Sequence, residues 1–129
     1  MANILVADDD LFYRKIIAHA LSAMGHEVQV VPNGEDVLKL MATNTYDLLV
    51  LDVFMDKVSG LEILQELTQL AETMGTPRIP AIIITSDDSE CTERAARVAQ
   101  ATFFLLKPFS AELLGSVVEE AVKKGVRVL

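Results

Sequence analysis

The sequence predicts an α/β domain: a doubly wound, five-stranded parallel sheet of order 2-1-3-4-5 with helices on both faces. Three observations carry that expectation. Short runs rich in Ile, Leu and Val recur within Asn3–Ala7, Leu48–Asp52 and Ala81–Thr85, the pattern of strands buried on both faces. Each run is followed by a stretch of helical periodicity, and strands alternating with helices imply parallel pairing through right-handed crossovers. Finally, 129 residues hold five such units but not the eight of a closed barrel, so the open sheet is favoured over a partial barrel.

The elements follow in order. Asn3–Ala7 is the first strand, stopped by Asp8-Asp9-Asp10. Leu11–Met24 carries Ile16, Ile17, Ala20, Leu21 and Met24 at helical spacing, and Gly25 supplies the stop. Glu27–Val31 alternates as a second strand, and Pro32-Asn33-Gly34 is a turn. A helix over Glu35–Thr43 turns Val37, Leu38 and Met41 inward. Leu48–Asp52 is the third strand, and a polar loop leads from it to Gly60.

The next helix covers Leu61–Met74, with Leu61, Leu64, Leu67 and Ala71 on one face, and the segment from Gly75 to Pro80 breaks it. The β-branched run in Ala81–Thr85 makes a fourth strand. Ser89–Gln100 is a fourth helix and Thr102–Leu106 a fifth strand, ending in Lys107-Pro108-Phe109. Ser110 caps the last helix, whose inner face is Leu113, Leu114, Val117, Val118, Ala121 and Val122. Lys123 and Lys124 suit the helix C-terminus, Gly125 ends it, and Val126–Leu129 is a short tail.

Composition narrows the function classes. Half of the residues are hydrophobic (51%), and the mean hydropathy is +0.35. This suits one domain with a single sizeable core. No apolar run approaches the roughly 20 residues that span a bilayer, and the start MANILVADDD has neither the basic region nor the cleavage site of a signal peptide. The lone Cys91 allows no internal disulfide and fits a cytoplasmic location. Net charge is −8, and no cluster of Lys and Arg exists to neutralise nucleic-acid phosphates. Direct nucleic-acid binding and membrane association are therefore not expected.

In the 2-1-3-4-5 order, strands one and three are neighbours, and ligands bind outside the carboxyl ends at that switch point. Asp8 and Asp9 follow strand one, Asp52 ends strand three, Thr85 ends strand four and Lys107 follows strand five. Singly, each has an ordinary reading: a loop aspartate capping a helix, a strand-end hydroxyl satisfying local backbone, a solvated surface lysine. At four strand ends lining one crevice they make a site. Three close carboxylates repel one another unless a cation holds them, and Mg²⁺ suits a few carboxylates plus water. With a hydroxyl and an ammonium alongside, the set fits phosphoryl transfer onto Asp52 as nucleophile. Lys107 and Mg²⁺ would neutralise phosphoryl oxygens, and Thr85 would donate to one of them.

At this point the chain resembles the receiver domains of two-component response regulators. The resemblance runs from Ile4 to about Val122 and rests on ILVADDD, LLVLDVFM followed by Gly60, IIIITS and LLKPF. It implies a flavodoxin-like fold, with residues 1–125 as a receiver domain and 126–129 as tail. It also implies Asp52 as the phosphorylated residue, and Asp9, Asp52 and the Phe54 carbonyl as direct Mg²⁺ ligands, with Asp8 acting through water. Thr85 and Phe104 match the switch pair, Lys107 the lysine that pairs with the phosphoryl group, and Lys107–Pro108 the family's cis peptide. The implied partners are a sensor histidine kinase or histidine phosphotransfer protein and a downstream protein target, with a monomer or phosphorylation-dependent dimer as the assembly. On this resemblance the protein is a regulator that assists its own phosphoryl transfer and hydrolysis, not an enzyme acting on another substrate.

Departures from the family pattern are Phe104, which lacks the usual hydroxyl or polar edge, Gln100 and Phe103 near the fifth strand, and Asp56 where proline is frequent. Phe54 is expected to flank the phosphoryl group and slow its loss, leaving Asp87 as the main polar residue to orient a hydrolytic water. A haloacid-dehalogenase-type phosphatase needs a second acid two residues past the nucleophile, where Phe54 stands. Calcium binding of the EF-hand kind lacks its late Glu, and no GxGxxG occurs for a dinucleotide. FMN binding is disfavoured because Asp8-Asp9-Asp10 would repel a phosphate. The alternative that stays open is a pseudo-receiver, a folded interaction module that takes no phosphate.

Overall fold

The computed structural model describes residues 1–125, so the expected tail at 126–129 lies outside the described residues. The elements run β1 (Asn3–Ala7), α1 (Leu11–Ala23), β2 (Glu27–Val31), α2 (Gly34–Thr43), β3 (Leu48–Asp52), α3 (Gly60–Met74), β4 (Ala81–Thr85), α4 (Glu90–Val98), β5 (Phe103–Leu106) and α5 (Ala111–Gly125). All pairings are parallel, and the sheet order is β2-β1-β3-β4-β5, as expected.

Strand periodicity sorts the core into two layers, because successive side chains point to opposite faces. Leu5, Ala7, Leu49, Leu51, Ala81 and Ile83 face one way and pack with Val37, Ile63, Leu64, Ala96 and Ala99 of α2, α3 and α4. Ile4, Val6, Leu48, Val50, Ile82 and Ile84 face the other way and pack with Ile17, Leu21, Leu114, Val118 and Ala121 of α1 and α5. Ile82, Ile83 and Ile84 are fully buried, and truncating any one to alanine costs about 2–5 kcal/mol.

Each helix begins on a side chain that accepts an otherwise unpaired backbone N–H. Asp10 accepts from Phe12, Asn33 from Asp36, Ser59 from Glu62 and Ser89 from Thr92. Ser110 Oγ accepts from the Leu113 N–H at 3.0 Å, the expected cap of α5. Ser59 and Glu62 complete a reciprocal capping box on α3.

The structure corrects several details. Met24, placed by the spacing within the first helix, follows its end at Ala23 and is 41% exposed. Leu113 is 48% exposed; of the expected inner face, α5 fully buries Leu114, Val118 and Ala121, at the i, i+4, i+7 spacing of a helix face. The fourth helix stops at Val98, two residues early, since Gln100 has φ of 69° and leaves the right-handed region. Thr102 lies outside β5, and β2 is an edge strand whose exposed Gln29 accepts the Tyr46 hydroxyl at 2.6 Å.

Candidate functional site

Register brings the strand ends together. Ala7 lies beside Leu51, so Asp8 leaves β1 next to Asp52 at the end of β3. Asp52 lies beside Ile84, so Thr85 stands one residue further along β4. Thr85 lies beside Leu106, and Lys107 donates its backbone N–H to the Thr85 carbonyl at 2.7 Å. The Lys107–Pro108 bond is cis.

Asp8, Asp9 and Asp52 each turn one carboxylate oxygen into a cluster whose members lie within 4.8 Å of one another. Asp8 is fully buried, Asp52 is 5% exposed, and Asp9 is open to solvent. Lys107 Nζ stands 2.7 Å from Asp8 Oδ2 and 3.3 Å from Asp52 Oδ2. Asp10 belongs to the helix instead: its carboxylate caps α1 through the Phe12 N–H, and its own N–H donates to Asp8 Oδ1 at 2.9 Å.

Burial and, after it, the Asp8 charge raise the Asp52 carboxyl, Lys107 offsets part of the rise, and the net effect takes it from its ordinary 3.8 to about 7. Burial alone would pull the Lys107 ammonium down. Contact with Asp8 and the charges of Asp52 and Asp8 outweigh that burial and hold it above 10.5. The cluster is therefore short of positive charge even with its lysine in place.

The donor set fits a small hard dication. All of its ligand atoms are carboxylate oxygens, the chemistry Mg²⁺ prefers. Asp8 Oδ2 is fully buried and, although Lys107 is near, has no donor in hydrogen-bond geometry among the described residues. Lys107 Nζ, 2.7 Å away, is its one charged partner among the described residues and is shared with Asp52, so one ammonium serves three acids and a further cation is favoured beside them.

Gly60 shapes the back of the site. Its N–H donates to the Val53 carbonyl at 3.1 Å, and a Cβ there would run into the Asp52 carbonyl oxygen. The glycine closing the β3–α3 loop is therefore needed for α3 to start against the acid-bearing strand.

The other expected residues make their own contacts. Thr85 is fully buried, and its Oγ1 accepts the Asp87 N–H at 3.1 Å. Phe54 is 54% exposed, with its N–H 3.4 Å from Asp52 Oδ1. Phe104 is partly buried against the layer that holds α2, α3 and α4. Asp87 is tied to the start of α4: its oxygens accept from Ser89 N at 2.9 Å, Ser89 Oγ at 3.2 Å and Thr92 Oγ1 at 2.5 Å. Those bonds hold the Asp87 carboxyl below the usual carboxylate range, the Thr92 hydroxyl contributing most.

Two residues of α1 join the site without having been expected. Tyr13 lays its ring 4.1 Å from Lys107 Nζ, and Arg14 Nη1 donates to the Asp8 carbonyl at 2.8 Å. Their one sequence signal was position, in the first turn after the acidic run. The apolar cavity of about 220 Å³ between α2 and α3, lined in part by Leu38, Leu64 and Met74, includes none of these residues. Among the described residues, no helix is long and apolar enough to cross a membrane.

The family model of the response regulator receiver domain matches residues 4–119. The response regulator MprA of Mycobacterium sp. (strain KMS) is 35% identical over 112 residues, which cover 87% of this chain and 46% of MprA. The sensory/regulatory protein RpfC of Xanthomonas campestris pv. campestris (strain 8004) is 33% identical over 121 residues, 93% of this chain and 16% of RpfC. The chain thus spans less than half the length of these curated relatives. Among solved structures, the receiver domain of Francisella response regulator 1452 superposes with a TM-score of 0.84 at 27% identity, covering 96% of this chain and 98% of that one. Chemotaxis response regulator CheY4 of Vibrio cholerae gives a TM-score of 0.83 at 25% identity, covering 94% and 98%. With the five-stranded fold and the acid cluster at its switch point, these matches show that the chain belongs to the response regulator receiver domains.

Proposed function

We propose that this receiver domain, folded over residues 1–125, is a phosphorylation-dependent switch that accepts a phosphoryl group on Asp52 from a phosphohistidine of a sensor kinase or phosphotransfer protein. One observation supports it above the rest: Asp52, itself buried, shares a strand-end cluster with Asp8, Asp9 and the Lys107 ammonium.

Asp9, Asp52 and the Phe54 carbonyl would hold Mg²⁺ directly, with Asp8 acting through water. Bound there, the ion supplies positive charge to the phosphoryl oxygens and removes the repulsion between the acids. An Asp52 oxygen attacks phosphorus, the P–N bond to the donor imidazole breaks as the new P–O bond forms, and the leaving nitrogen takes up a proton. Lys107 needs only a small movement to meet the incoming phosphoryl oxygens, since its ammonium already sits against Asp52.

The product carries about −1.5 to −2 charges and three strong acceptors. The Thr85 hydroxyl turns toward them, giving up the bond it accepts from the Asp87 N–H. Phe104, with no hydroxyl to strand, moves further into the space behind Thr85. The surface formed by α4, β5 and α5 changes with it and presents a different face to a downstream protein, a population shift driven by local charge.

The test is incubation with acetyl phosphate and Mg²⁺, read by intact-protein mass. The expected result is a gain of one phosphoryl group that Asp52→Ala abolishes. Absence of any gain in the wild-type protein would make the domain a pseudo-receiver.

A further inference from the structure

Tyr13 sits in the first turn of α1, beyond the Asp10 cap, and is fixed on two sides by aromatic neighbours. Phe12 meets it edge-on, with ring centres 5.8 Å apart at 84°, and Phe109 packs at 5.8 Å and 51°. Its remaining face is turned to Lys107, whose Nζ stands 4.1 Å from the ring centre. The Lys107 side chain is only 9% exposed, so this contact is made with little competing water.

A lysine is a point charge on a four-carbon stem with high rotamer freedom. Lys107 lies just past the end of β5, where no strand pairing fixes its side chain. Attraction to Asp8 and Asp52 draws the ammonium into the cleft, but two acids on one side leave its other side open. The negative face of an aromatic ring closes that side, and the attraction is largest where the cation is desolvated. Phe109, two residues past Lys107, ties the ring to the same β5–α5 loop that carries the lysine.

We propose that Tyr13 is a positioning residue whose ring holds the Lys107 ammonium against Asp52 and thereby sets the rate of phosphoryl transfer. The rate half of this inference rests on the acceptor reading above; the ring-over-ammonium half is measurable without phosphate.

The test compares Tyr13→Phe, Tyr13→Leu and Tyr13→Met in the full chain, the last variant keeping side-chain length if leucine impairs folding. In the unphosphorylated protein, the Lys107 ε-methylene protons are expected to resonate upfield from ring shielding, a shift kept by Tyr13→Phe and lost by the other two. With acetyl phosphate and Mg²⁺, Tyr13→Leu and Tyr13→Met are expected to slow phosphoryl uptake by about 2- to 30-fold, the span of cation–ring contacts from exposed to desolvated. Tyr13→Phe is expected to stay within about twofold of wild type, since the ring face is retained. Equal rates in wild type and Tyr13→Leu would overturn the role of Tyr13 alone. Slowing in Tyr13→Phe as large as in Tyr13→Leu would also overturn it, assigning the effect to the hydroxyl. Wild-type protein that takes up no phosphoryl group overturns the acceptor reading instead.

Discussion

Lys107 Nζ stands 2.7 Å from Asp8 Oδ2, so the residue that follows β5 is tied to the buried acid that leaves β1, with β3 and β4 between them. The lysine therefore neutralises Asp8 at least as much as Asp52, which lies farther off at 3.3 Å. Three ionised carboxylates against one ammonium leave two negative charges uncompensated. A dication matches that remainder, and in its absence a proton on Asp52 is the other way to reduce it.

Stability follows from that balance. The folded state holds the Asp52 proton up to about pH 7, whereas the ordinary value is 3.8. The folded state therefore binds more protons than the unfolded one between those values, and the group's contribution to stability is lost as pH rises through about 7. In metal-free buffer, Asp52→Asn is expected to stabilise the protein at pH 8 by about 1–2 kcal/mol after solvent screening. Denaturant melts of both proteins at pH 4 and pH 8 check this, and the stabilisation should be largely absent at pH 4, close to the ordinary value of 3.8.

Magnesium should act on the same groups. Binding to the folded state alone raises stability by about 2.7 kcal/mol at one hundred times the dissociation constant. The rise in melting temperature is expected to be larger at pH 8 than at pH 6, because protons compete for Asp52 below its shifted value. Asp9→Asn should remove most of the rise, as thermal melts with and without Mg²⁺ would show.

Gly60 gives a backbone prediction. Since a Cβ at this position meets the Asp52 carbonyl oxygen, Gly60→Ala forces α3 away from the end of β3. The expected cost is about 1–3 kcal/mol, with overpacking as the cause. The same variant should weaken Mg²⁺ binding by displacing Asp52, which calorimetric titration measures. An alanine variant with unchanged stability and affinity would show that the loop has room to relax.

The Asp87 network links Thr85 to the start of α4. Asp87 accepts from Ser89 and Thr92 while its own N–H donates to Thr85 Oγ1. Asp87→Ala is expected to speed amide exchange over the first turn of α4 and leave the opposite layer, around Ile17 and Val118, unchanged. Hydrogen-exchange mass spectrometry separates the two regions.

How much of this was legible in the sequence depended on burial. β1, β3 and β4 are covered on both faces, so their apolar runs declared both the strands and the layers they join. Edge strands β2 and β5 carry exposed positions, and the start of β5 was misplaced by one residue. Periodicity puts Met24 on the helical repeat and Leu113 on an inner face, because a periodic pattern says which residues share a face, not where a helix ends or how wide its buried stripe is. At the site, the acids and Lys107 were legible because each closes a strand, and register then makes them neighbours. Tyr13 was not, since its contact with Lys107 depends on how α1 packs against the loop after β5 and leaves no local pattern. The hydrogen bonds that Ser89 and Thr92 give Asp87 were not announced by its spacing from Thr85.

The most direct measurement is to locate the acceptor chemically. After treatment with acetyl phosphate and Mg²⁺, borohydride reduction converts a phosphoaspartate to homoserine, and peptide mass spectrometry reads its position. The expectation is homoserine at position 52 alone, and none when the metal is chelated before the acetyl phosphate is added. Reduction at another acid, or at position 52 without regard to metal, would contradict it.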